Sequence, residues 1–114
     1  MTVDTIRDIA LKLPHATEDV KWGHDLCFCI AEKMFCVTGL EGEPITLSLK
    51  VQDEDFESFC ERPGFIPAPY MARHKWVFIQ DCKKVSKKEL EKLIGQSYEL
   101  VKAKLPKKTQ DKLK

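Results

Sequence analysis

The sequence predicts an α+β domain, an antiparallel sheet with its helices packed on one face as a two-layer sandwich. Three observations carry this. Three central segments alternate apolar and small or polar residues with period two, the signature of half-buried antiparallel strands. Both ends of the chain repeat apolar residues at helical spacing. Between them hairpins dominate, without the regular strand–helix alternation that a parallel sheet needs.

The elements follow in order. Residues 2–13 read as a helix, with Ile6, Ile9, Ala10 and Leu13 on one face, Thr2 or Asp4 as cap and Pro14 as stop. Residues 14–25 are polar loop, with a short strand at Val20–Trp22 as an option. In the first alternating segment Leu26, Phe28 and Ile30 oppose Cys27 and Cys29. Phe35 and Val37 oppose Met34, Cys36 and Thr38 in the second, and Ile45, Leu47, Leu49 and Val51 oppose Thr46, Ser48 and Lys50 in the third. A turn at Glu32–Lys33 would set Cys29 opposite Cys36, Phe28 opposite Val37 and Ile30 opposite Phe35, keeping one face apolar. "EGEP" at 41–44 is the next turn.

Residues 53–62 read as a short helix capped by Asp53, with Phe56, Phe59 and Cys60 inward, and "PGFIPAP" as an irregular loop. "KWVFIQ" is a strand that is apolar on both faces. Ser86 opens the last helix with Glu89 three residues on, a capping box. Its buried stripe runs through Leu90, Leu93, Ile94, Ser97, Val101 and Leu105 to Pro106. The chain thus divides into a single domain over residues 1–106 and a basic, flexible tail over 107–114.

Composition narrows the function classes. With 114 residues and 43% hydrophobic content, one soluble domain is expected. No apolar run approaches a membrane span and the N-terminus does not read as a signal peptide, so the expectation is a cytoplasmic protein without membrane association. Five cysteines, an odd number, read as reduced thiols. Cys27, Cys29 and Cys36 with His24 suggest a soft-metal site, but the C-x-C spacing is wide for one ion, and no metal or other cofactor is expected. No nucleophile–base pair or phosphate-loop motif is present, so an enzyme is not the expectation.

Charge is unevenly spread. Residues 83–114 carry eleven lysines against four acids, whereas residues 1–82 are net acidic. This marks either a solvated lysine-rich face or a surface for a polyanion. The segment "PYMARHKW", residues 69–76, sets aromatic rings beside cations as base stacking or groove contacts would require.

Several motifs then coincide. "WGH" at 22–24, "KMFCV" at 33–37, "PYMARHKW" at 69–76 and "SYELV" at 97–101 resemble, in order and spacing, the segments of the MmcQ/YjbR family. The resemblance covers about residues 5–105. It implies a fold like that of the bacterial frataxin CyaY and a double-wing DNA-binding protein. His74, Trp76, Ser97 and Tyr98 match the family pattern directly, Arg73 keeps the charge of its Lys, and Ala72 replaces its Asn. On this reading DNA is the partner, its sequence open; the oligomeric state is open too, with a monomer the favoured expectation. Arg73, Lys75, Lys84, Lys87, Lys88, Lys92 and Lys102 would contact phosphates, and His74, Trp76 or Tyr98 bases or sugars. The hairpin tips argue against simple wing docking: "EGEP" is acidic and "AEKM" near neutral. Iron binding, which the frataxin-like fold raises, is set aside because Arg7 and Lys12 offset Asp4 and Asp8 in the first helix.

Two alternatives stand beside DNA. One is a small-ligand- or protein-binding module using the 70–76 loop as a pocket wall, with a concavity lined by Trp22, His24, Tyr70, His74 and Trp76. The other is a structural clasp, in which His74 and Trp76 pin the loop onto the last helix through Tyr98.

Overall fold

The computed structural model describes residues 2–40, 43–69 and 71–113. Six strands form one antiparallel sheet: β1 (Thr17–Lys21), β2 (Asp25–Ile30), β3 (Lys33–Gly39), β4 (Leu47–Lys50), β5 (Phe65–Pro67) and β6 (Trp76–Ile79), in the order β1-β2-β3-β4-β6-β5. Helices α1 (Val3–Leu11), α2 (Phe56–Glu61), α3 (Lys87–Ala103) and α4 (Lys107–Lys112) complete the chain. The α+β architecture is as the alternation predicts, with helices packed against the sheet. Among the described residues no helix is long and apolar enough to cross a membrane.

Local chemistry sets the helix ends. Thr2 and Thr5 cap α1 reciprocally, and Ile6 and Ala10 enter the core. Ser86 caps α3 by accepting from the Glu89 N–H at 3.1 Å. The expected return bond from the Glu89 carboxylate is replaced by a bidentate pair with Arg62, at 2.8 and 3.0 Å, which ties α3 to the end of α2. Arg62 also lies over the Phe65 ring, 4.3 Å from its centroid. Residues 107–112, expected within a flexible basic tail, form α4. Gln110 there donates to the Leu105 carbonyl at 2.7 Å, satisfying an acceptor at the end of α3.

The β2–β3 hairpin departs from the expected register. The two turn residues are Ala31 and Glu32, with φ of 48° and 69°, the left-handed pair that suits a two-residue hairpin. Ile30 therefore pairs with Lys33, Cys29 with Met34 and Phe28 with Cys36, not the partners expected from a Glu32–Lys33 turn. A bulge between Phe28 and Cys29 makes Phe35 the extra residue, so Phe35 and Cys36 both oppose Phe28. Both are fully buried in the core, Phe35 edge-on to Tyr98 at 5.4 Å. Beyond the bulge the alternation is shifted by one. Val37, expected inward, pairs with Cys27 on the outer face, and Thr38 pairs with core-facing Leu26. Thr38 satisfies its buried hydroxyl by donating to the Thr46 carbonyl at 2.7 Å.

The core lies between the sheet and α1 and α3. Phe28, Leu49, Val77 and Ile79 of the sheet meet Ile6, Leu90, Ile94 and Tyr98 of the helices. Residues 17–21 form a full edge strand, longer than the optional one at Val20–Trp22, and "FIP" within the expected irregular loop forms β5 on the other edge. An edge tolerates Pro67 because its missing N–H is not needed by a further strand. Glu41 and Gly42 of the expected "EGEP" turn lie outside the described residues.

Candidate functional site

The helices cover one face of the sheet, and the opposite face carries the chemistry. Its central row runs Cys27, Val37, Ser48, Phe78 and Ile66 across five strands. Trp76 lies on the same face, paired across β4–β6 with Lys50. Two loops rise at its margin. The β1–β2 turn holds Trp22 and Gly23 in left-handed backbone (φ 55° and 76°), and leaves Trp22 65% exposed. Before β6, Ala72–His74 make a tight 3-10 turn closed by Lys75 at φ 64°.

These elements enclose a concavity of about 630 Å³ between Trp22, Met34, Val37, Met71 and Trp76, with His24, Asp25 and Ser48 as its polar groups. A second cleft of about 430 Å³ adjoins it across Met34, Met71 and Trp76. This cleft is cationic, with Lys33, Lys50 and Lys104, and the His74 imidazole beside them, around an apolar floor that includes Val101 and Leu105. Both volumes fall in the range of small-molecule sites.

Lys50 is the unusual member. It is 6% exposed, and its Nζ donates to the His74 carbonyl at 2.5 Å, anchoring the 72–75 turn to β4. Burial pushes its pKa down, Lys104 pushes the same way, Asp53 opposes them, and Lys75 adds to the lowering. The backbone N–H of Lys50 donates to Ser97 Oγ at 2.9 Å, and Ser97 donates on to the Phe35 carbonyl at 2.5 Å. One hydroxyl thus bridges β3 and β4 just past their ladder pair Cys36–Leu49, and positions Lys50 from α3.

The residues singled out from the sequence fall into separate places. Arg73 and His74 are exposed on the turn, and His74 lines the cationic cleft. Lys75 places its ammonium 5.0 Å from the Phe56 ring centroid, and its carbonyl accepts from the Val51 N–H at 2.9 Å. Trp76 is 4% exposed and walls both cavities. Lys84 lies in the 3-10 turn before α3, and Lys87, Lys88 and Lys92 lie on the first turns of α3, all exposed. Lys102 sits near the far end of that 17-residue helix, roughly 22 Å along its axis from Lys87 by the usual rise, with its ammonium 5.7 Å from the Tyr98 ring centroid.

Tyr98 is on the helix side of the sheet. It is 1% exposed, and its hydroxyl donates to the Pro14 carbonyl at 2.6 Å. Its ring offers no open face to a base, and it does not clasp the 70–76 loop, because Trp76 lies on the opposite side of the sheet. Lys50 makes that clasp instead. Tyr70, expected to line the pocket, lies outside the described residues.

The thiols do not gather as one set. Cys27 and Cys29 lie on the outer face, while Cys36 faces the helices. Burial, helped by the charge of Cys29, pushes the Cys27 thiol up to about 11, and burial pushes Cys36 well above the ordinary thiol value. Among the described residues no group of three or more His, Cys, Asp or Glu is placed to hold a metal ion.

Lys33, Met34, Lys50, Met71 and Lys104 belong to the site: Lys33, Met34 and Met71 fall within the "KMFCV" and "PYMARHKW" segments and Lys104 within the lysine-rich end, and only Lys50 carries no functional signal in the sequence. Lys50 follows Thr46 and Ser48 on the regular polar side of the 45–51 alternation, so nothing local marks it. Its partner Trp76 is 26 residues away, and that pairing shows only in the folded sheet.

The architecture thus defines a class, an α+β domain with helices on one face of its sheet and a two-part cleft on the other. The YjbR family model matches residues 11–100, and the chain belongs to that family. A crystal structure of a Deinococcus radiodurans protein with domain DUF419 is similar at TM-score 0.89 and 28% identity, over 98% of this chain and 87% of that one. A structural-genomics protein from Pseudomonas syringae shares the fold at TM-score 0.72 and 24% identity, over 88% of this chain and 98% of the other. No curated protein matches.

Proposed function

We propose that this chain is a binding module for a small ligand, with the open sheet face as its site and the 71–76 loop as one wall. The observation that carries this reading is the concavity of about 630 Å³ lined by Trp22, Met34, Val37, Met71 and Trp76. An indole 65% exposed at the rim of this hollow offers apolar surface that a bound ligand would remove from water. The two thioethers supply adaptable apolar walls, and His24, Asp25 and Ser48 supply orientation.

The chain has only two tryptophans, and both line this concavity, so intrinsic fluorescence reports on the site directly. A panel of small aromatic and acyl compounds, screened by thermal shift and then titrated by tryptophan fluorescence, is the test. Saturable quenching or a blue shift that Trp22→Ala abolishes is the expected result. A panel without any saturable, Trp22-dependent response overturns the reading.

Duplex DNA is the second reading. The observation favouring it is the exposed group Lys84, Lys87, Lys88 and Lys92 around the start of α3. These lysines would contact phosphates there, with Lys102 at the helix end. Arg73, His74, Lys75 and Trp76 would contact DNA from the loop. It ranks second because Lys84, Lys87, Lys88 and Lys92 lie at the start of α3, whereas His74 lies beside Lys104 at the other end of that helix. Anisotropy of a labelled duplex at low and near-physiological salt tests it. Salt-sensitive micromolar binding that is lost on changing Lys84, Lys88 and Lys92 to Glu would promote it over the ligand reading.

A further inference from the structure

We infer that the cationic cleft beside the concavity is a head-group site, so that the ligand is an anionic amphiphile. Its flat or acyl apolar body lies against Trp76 and Trp22, and its phosphate or carboxylate meets Lys50, Lys33, Lys104 and His74. This rests on the ligand-binding reading above and specifies its chemistry.

The argument starts from Lys50. An ammonium has three donors, and the His74 carbonyl takes one. Among the described residues no carboxylate lies within ion-pair distance of Lys50. Burying a cation without a counter-charge is unfavourable, and the fold compounds it by setting Lys104 and Lys75 near enough to disfavour the charge further. Asp53 is the one acid acting on Lys50 from nearby, and it acts from outside ion-pair distance. Ser97, through the Lys50 backbone N–H, fixes this strand position from α3. A held, buried and under-neutralised cation, in a cleft with two further lysines and apolar walls, is what an anion's head group needs. The two cavities adjoin across Met34, Met71 and Trp76, so one molecule can fill both.

The test uses a matched pair of probes: 8-anilinonaphthalene-1-sulfonate, and neutral N-phenyl-1-naphthylamine, the same ring system without the sulfonate. Each is titrated into the full chain, into Lys50→Met, Lys104→Met and Trp22→Ala, with far-UV circular dichroism melts as the check on folding. The expected result is tighter binding of the anionic probe by about tenfold or more, the equivalent of one charge-assisted hydrogen bond. Lys104→Met narrows that gap while leaving the neutral probe unchanged, Lys50→Met narrows it with whatever effect loss of the loop anchor has on both probes alike, and inorganic phosphate displaces the anionic probe alone. Equal affinities, or a gap that survives both lysine changes, overturn the head-group site while the apolar reading stands. Failure of both probes to bind in a Trp22-dependent way overturns the apolar reading itself. Because Lys104 is exposed at the end of α3, its variant carries the test even if Lys50→Met does not fold.

Discussion

Ser97 holds Lys50 in place, accepting the Lys50 backbone N–H at 2.9 Å while donating to the Phe35 carbonyl at 2.5 Å. Both strand groups would otherwise be stranded beside the β3 bulge. Ser97→Ala is expected to leave a buried donor and a buried acceptor without partners, at a cost of ~1–3 kcal/mol. Urea denaturation checks this: the midpoint should fall with the slope unchanged. An unchanged midpoint would mean that water or strand relaxation replaces the hydroxyl.

Tyr98 joins α3 to the loop after α1 through its hydroxyl and to β3 through its ring. Tyr98→Phe removes the bond to the Pro14 carbonyl and keeps the edge-on contact with Phe35, so a loss of about 1 kcal/mol is expected. Tyr98→Ala empties a fully buried aromatic position and should cost ~3–5 kcal/mol. Thermal melts of the two variants check this order. Neither change is expected to alter probe binding on the opposite face in protein that remains folded.

The Arg62–Glu89 pair gives stability a dependence on acid. Its hydrogen bond to Arg62 holds the Glu89 carboxyl below its ordinary value, against burial, with the charges of Arg62 and Lys92 adding to the lowering. A depressed folded pKa adds stability above the unfolded value of 4.5, and that share is lost as pH falls through the folded value. Both side chains are more than a third exposed, so the contribution is expected to stay below ~1 kcal/mol. Glu89→Gln should therefore flatten the acid limb of a stability-versus-pH curve below about pH 4.5 and slightly lower the plateau above it. An acid limb as steep as that of the parent would assign it to other carboxylates.

The five thiols should differ in reactivity. Cys60 alone is half-buried, and the other four are buried. Burial pushes Cys82 up to about 12, with Asp81 adding to it, and Cys27 up to about 11. A chromogenic disulfide reagent near pH 8 is expected to modify Cys60 first, with the other four released only on unfolding. Cys60→Ser should remove the fast phase. A second fast thiol in the folded protein, mapped to Cys27 or Cys29, would point to opening of the sheet's outer face.

Much of this fold is legible along the chain because its signals are local. Thr2, Pro14 and Ser86 bound helices through their own caps and breaks, and alternation in 26–30 and 45–51 marks strands whose apolar residues are buried as expected. The hairpin register was misread for an equally specific reason. A regular ladder from 34 to 38 would send Phe35 and Cys36 to opposite faces, whereas the bulge buries both. Strand β5 escaped notice because three residues ending in Pro carry no alternation, and they become a strand only by pairing with β6. For the site, the "WGH" and 69–76 segments stood out for composition. Their meeting across the sheet, and the part played by Lys50, had no local trace.

Caps, turns and periodicity act over a few residues, so the class of fold, the starts of α1 and α3 and the loops that carry Trp22 and His74 are legible along the chain, whereas α4 is not. Only the tertiary structure decided which face those loops share. It placed Tyr98 behind the sheet, paired Lys50 with Trp76, and gathered Lys33 and Lys104 around them. Those outcomes depend on strand pairing and burial between segments far apart in the chain, where a one-residue bulge changes which side chains meet the core and which line the cleft.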